Sequence, residues 1–151
     1  MSENKELMTI NREDIAPAFQ LDQLLNANNS FLCSIPNDGS RAAAVAIYNA
    51  VNNKGESLDD HKGETLEIVN NAAHPVSLVD ENTGELVEAL RIVLVDKNGV
   101  NYDAVSQGIA SSLQKIIAIV GAAPWDDEPL KMKVVEQKTR KGFKTNTIEL
   151  V

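Results

Sequence analysis

Aromatic residues are scarce in this chain of 151 residues: one tryptophan, two tyrosines and three phenylalanines, 4% in all. That excludes a surface built mainly on stacking, so any aromatic platform must rest on one or two particular side chains. The single cysteine, Cys33, can form no intrachain disulfide and fits a reducing compartment. His61 and His74, the two histidines, stand apart from Cys33 without metal-ligand spacing, so no metal is expected. The acidic runs Asp59 to Asp60 and Asp126 to Glu128 fall in apparent loops and read as solvated surface. No P-loop is present, because KNG and RKG lack the lysine and hydroxyl that would open a helix, and no Ser/His/Asp arrangement has local support. Neither catalysis nor a cofactor is expected. The longest apolar-rich stretch, Ile116 to Ala123, is too short for a bilayer span, and MSENKELMTI has acids where a signal peptide has a basic region. A cytoplasmic location follows as the expectation.

Positive charge is in short supply as well: 14 Lys and Arg against 22 Asp and Glu give a net charge of −8. The exception is Lys131 to Lys144, where Lys131, Lys133, Lys138, Arg140, Lys141 and Lys144 face one acid, Glu136. A polyanion is the natural partner of such a run. Screening at physiological salt acts over about 8 Å, so a contiguous basic face works locally even when the rest of the molecule is acidic.

Along the chain, residues 1–29 are polar and asparagine-rich, broken by Pro17, with Leu21 to Leu25 as the apolar cluster; they read as a flexible arm. Residues 30–151 read as one domain. FLCSI (Phe31 to Ile35) suggests a short strand closed by Pro36, and Ser40 can cap a helix RAAAVAIYNAVNN with Ala44, Ile47, Tyr48 and Val51 at helical spacing. From Gly63 the period changes to two. ETLEIVNNA continues through HPVSLVD, ENTGE turns, VEALRIVLVD follows, KNG turns, and VNYDAVS completes a meander. Ile109, Leu113, Ile116, Ile117 and Val120 then mark a helix from about Ser106 to Gly121. After a loop, AAPWDDEP, the strands LKMKVVEQK and FKTNTIELV flank the turn TRKG.

Five strands with one helix between the third and fourth is the connectivity of an OB-fold, a small Greek-key β-barrel that binds oligonucleotides or oligosaccharides. A generic α+β sandwich with the same elements is the alternative. The runs FLCSIPNDGSR, AIYNAVN, GETLEIVN, AHPVSLVDENTGE, EALRIVLVDKNG, AVSQGIASSLQKIIAIVG and LKMKVVEQKTRKGFKTNTIEL resemble the small single-stranded DNA-binding proteins of phages and plasmids from Gram-positive bacteria. The resemblance implies an OB-fold protein of a bacterial cell that coats single-stranded DNA, without strong sequence preference, during replication or transfer of a mobile element such as a conjugative plasmid. The chain ends in TIELV, a strand, where the cellular proteins of this kind are expected to carry an acidic recruiting tail.

Binding single strands without reading sequence takes cations along the phosphates and π-faces for the bases, each stack being worth about 1–3 kcal/mol. Lys131 and Lys133 should share one face of the fourth strand, with Met132 and Val134 on the other. Lys138, Arg140, Lys141 and Lys144 stand at the last hairpin, and Arg91 and Lys97 extend the track. Tyr102 and Phe143 are the stacking candidates, with Trp125 and Tyr48 behind them. The N-terminal arm or the first helix is a candidate for homo-oligomer contacts. The competing reading is a protein-interaction module of a replication or conjugation complex that never touches DNA.

Overall fold

The computed structural model describes residues 9–10, 32–138 and 140–151. Apart from Thr9–Ile10, the expected arm over 1–29 lies outside the described residues. Strands β1 (Thr9–Ile10) and β2 (Leu32–Cys33) are followed by helix α1 (Arg41–Asn52), strand β3 (Glu56–Ser57) and a 3-10 turn at Leu58–His61. Then come β4 (Thr65–Asp80), β5 (Leu86–Asp96), β6 (Asn101–Ala104), helix α2 (Gln107–Val120), β7 (Leu130–Lys138) and β8 (Lys144–Leu150).

The expected order of three strands, a helix and two strands is therefore present, in a mainly β, OB-like barrel with helices. The short strands β1, β2 and β3 are added to it. The sheet runs β3-β6-β5-β4-β7-β8, and β1 and β2 also pair with β4. Strand β4 organises the whole. Its start pairs with β7 from Thr65↔Lys133 to Ile68↔Leu130. Its remainder pairs with β5 as far as Val79↔Leu86, the register shifting between Ile68 and Asn70. Such a bulge bends a strand and strengthens its twist, which lets one strand serve both the barrel and the hairpin that projects from it.

Alternation sorts the barrel into inside and outside. Leu66, Ile68, Ala73, Leu90, Ile92, Leu94, Tyr102, Met132 and Val134 pack inward against Ile109, Leu113 and Ile116 of α2, and Leu58 of the 3-10 turn is fully buried with them. Helix α2 starts at Ser106, whose hydroxyl accepts from the Gly108 and Ile109 amides, and ends at Gly121 with φ 114°. It covers the free edge of β8: the Ser106 hydroxyl reaches the Asn146 carbonyl at 3.4 Å, and the Ile148 amide donates to Ser112 Oγ at 3.1 Å. Between the third and fifth barrel strands, a helix does the work of a strand pairing.

Helix α1 lies on the opposite side of the sheet. Ser40 caps it by accepting from the Ala43 amide. Beneath it, Ala72, Val93 and Val95 on the outer face of β4 and β5 cluster with Cys33 and Val51. The expected apolar stripe of Ala44, Ile47, Tyr48 and Val51 is rotated in the structure: Ile47, Ala50 and Val51 turn inward, whereas Ala44 and Tyr48 are exposed. Spacing alone admits both settings, because alanine lines almost every face of this helix.

Candidate nucleic-acid interface

The β7–β8 hairpin pairs in continuous register from Met132↔Leu150 to Lys138↔Lys144. Met132 and Val134 are buried and Lys131 is exposed beside the half-exposed Lys133, as period two requires. Toward the tip the core ends, and Lys138, Arg140, Lys141, Phe143 and Lys144 are all exposed. Gly142, with φ 89°, supplies the left-handed residue that turns the chain back. Lys138 and Lys144 are direct cross-strand partners. Like charges so placed repel and cost a hairpin stability, a cost relieved when an anion sits between them.

Among the described residues, none of the six hairpin cations makes an ion pair. Cations elsewhere on the sheet are neutralised: Lys62 bonds Asp59 at 3.3 Å, Lys97 bonds Glu67 at 3.1 Å, and Arg91 bonds Asp103 at 2.8 Å. Among the described residues the tip from Lys138 to Lys144 therefore gathers positive charge without an ion pair, whereas nearer the root Lys131 stands opposite Glu67 and Lys133 opposite Glu149. The hairpin is fixed from both sides, by Ser106 against Thr145 at 3.4 Å and by Asp59 accepting from Asn146 Nδ2 at 3.0 Å. That second bond holds the Asp59 carboxyl below its ordinary pKa.

Arg91 occupies a different setting from the hairpin cations. Its guanidinium donates to Asp103, to the Asn53 carbonyl at 2.6 Å and the Ala50 carbonyl at 3.4 Å, and to His74 Nε2 at 2.8 Å. It thus fastens the last turn of α1 to the sheet, at the helix end where a cation is favoured. Tyr102 is 7% exposed, its hydroxyl donating to Asp96 and its ring meeting His61 edge-on at 5.0 Å. Burial, then the neighbouring Asp96 carboxylate, pushes its pKa up to about 12. Trp125 is half-buried against the core, its amide donating to the Val69 carbonyl at 2.8 Å and its indole N–H to the Gly121 carbonyl at 3.2 Å. It lines an open cleft with Asp126, Asp127 and Glu128. The structure thus brings Lys131, Lys133, Lys138, Arg140, Lys141, Phe143 and Lys144 together on one hairpin, with Trp125 sharing its acidic cleft with Lys131 at the hairpin's far end, and places Arg91, Lys97 and Tyr102 in other settings.

A family model described as phage single-stranded DNA-binding protein matches residues 26–151. The chain belongs to that family. No curated protein and no solved structure matches it. The match takes in every element from β2 to β8, the cationic hairpin included, and it gives the chain a single-stranded DNA-binding role. Among the described residues no helix is long and apolar enough to cross a membrane. Sequence reasoning set Tyr48 behind Tyr102 and Phe143 as a stacking candidate and placed it on the apolar stripe of the first helix, whereas the structure exposes it. The signal available for it was that Arg41 to Asn52 contains no acid in an otherwise acidic chain.

Proposed function

We propose that this protein coats single-stranded DNA with little regard for sequence during replication or transfer of a phage or other mobile genome. In this reading the β7–β8 hairpin is the phosphate-binding edge. The observation that carries it is the set of six hairpin cations, none in an ion pair among the described residues and two of them set directly against each other. Lysine and arginine on phosphates give affinity without sequence information, because every nucleotide offers the same anion. Phe143, exposed beside Lys144 at the tip, is positioned to meet a base while its neighbours hold the backbone.

The test is charge reversal of Lys138, Arg140, Lys141 and Lys144 to glutamate, read by anisotropy of a labelled oligo(dT) and by circular dichroism. All four side chains are exposed, so the fold is expected to survive. Affinity is expected to fall by about two orders of magnitude or more at low salt. Retention of wild-type affinity by a folded variant would move the site off the hairpin, and equal wild-type affinity for duplex and single strand would count against the function itself.

A further inference from the structure

OB-folds present ligands to the outer face of their second and third strands. In this protein those strands are β5 and β6, and the outer side of the sheet there is partly roofed. Val93 and Val95 of β5 lie beneath Val51 of α1, and Arg91 fastens Ala50 and Asn53 to Asp103 of β6. A strand laid along this side of the barrel meets the outer surface of α1.

That surface is organised. Arg41, Val45, Tyr48 and Asn52 follow one another at intervals of four, three and four residues, so they form a single stripe along the helix, and all four are exposed. Tyr48 is 61% exposed, against 43% for Phe143 and 7% for Tyr102. Its hydroxyl makes no hydrogen bond among the described residues. The helix holds no acid; Arg41 stands at its first position and Lys54 just past its end, neither in an ion pair among the described residues, while of the nearby acids Asp38 accepts from the Ser40 amide and Glu56 bonds His61. In a chain of net −8 this is a second surface where a polyanion is not repelled. Along the axis Arg41 and Tyr48 are about 10 Å apart at 1.5 Å per residue, a distance a single strand covers in one or two nucleotides.

We propose that the outer stripe of α1 is a base-stacking surface for single-stranded DNA, with Tyr48 as the platform and Arg41 and Lys54 holding the flanking phosphates. This rests on the single-strand reading above and extends it from the hairpin to a second element. The cations of the hairpin then track phosphate, and Tyr48 supplies the stacking that the chain's few aromatics must provide. Arg91 acts as a positioning residue, holding the helix from beneath.

The experiment compares full-length wild type, Tyr48→Ala, Tyr48→Phe and Arg41→Ser. Binding of labelled oligo(dT) is followed by anisotropy over a salt series, with sedimentation velocity on each free protein. Tyr48→Ala is expected to weaken binding about 5- to 150-fold with the salt slope unchanged, and Tyr48→Phe to restore it, because a stacked ring carries no counterion. Arg41→Ser is expected to lower the slope by about 0.7. Wild-type affinity in Tyr48→Ala overturns the proposal while leaving the hairpin reading intact. So does a loss confined to self-association, which would make the stripe a contact between copies. Failure of the wild type to bind single strands would overturn both readings together.

Discussion

At the scale of single residues, a charge or a ring does what its surroundings leave it free to do. Arg91 and Tyr102 look like ligand-binding groups in the sequence. Arg91 sits on β5, whose two faces are covered, one by the core and the other by α1, and where both faces are covered alternation no longer says which side chain meets solvent; Tyr102 of β6 turns inward to the core. His74 shows the same environment acting on a proton. Burial, and then the Arg91 guanidinium, hold its pKa below the ordinary 6.5. Its Nε2 accepts from Arg91 while Nδ1 faces the Pro75 carbonyl, which is the neutral tautomer. Because the folded pKa is the lower one, the contribution of His74 to stability is complete above pH 6.5 and is lost as pH falls through the folded value. His61 has the opposite sign. A hydrogen bond to Glu64 chiefly, helped by Glu56, raises its pKa, so its contribution is complete below 6.5 and lost as pH rises through the raised value. Thermal melts across this range are expected to show His74→Gln removing the acid-side loss and His61→Gln removing the alkaline-side one. Identical profiles for both variants and wild type would contradict the assignment.

At the scale of elements, what was legible had strong local chemistry. Ser106 and Gly121 bracket α2, and the Lys131–Val134 alternation fixes β7 with its polar face outward. The short strand β3 and the 3-10 turn behind it escaped, because two paired residues carry no period and Leu58 stands as one apolar side chain among polar ones. Its burial depends on β6, β7 and α2, which lie far along the chain. The seam between α2 and β8 was equally hidden, and it yields a prediction. A methyl group added at Gly108 would stand 2.1 Å from the Asn146 carbonyl oxygen, a backbone atom. Helix propensity alone would have Gly108→Ala gain about 1 kcal/mol. Overpacking is expected to reverse that and destabilise by roughly 1–3 kcal/mol, seen as a lower urea midpoint. A midpoint that rises would mean the seam yields easily.

For the molecule as a whole, charge is segregated: a net −8 is carried by a chain that gathers six cations on one hairpin, none of them in an ion pair among the described residues. Single-strand binding should then be steeply salt-dependent. With about 0.7 in logarithmic slope per neutralised phosphate, six contacts predict a loss of roughly 300-fold between 50 and 200 mM salt. A loss of only a few-fold would assign most of the affinity to stacking. The arrangement of β4 also bears on how the molecule comes into being. Strands β4, β5 and β6 form a local meander that can assemble as soon as it is synthesised, but the first residues of β4 find their partner, β7, only after α2 has been made. Closing that distant contact is the slow kind of step in folding. Met132 and Val134 belong to the core, so the hairpin that carries the cations is also the last piece to seal it. A chain still being made holds no finished basic edge, and if that edge holds the phosphates as proposed, competence to bind arrives together with the completed fold.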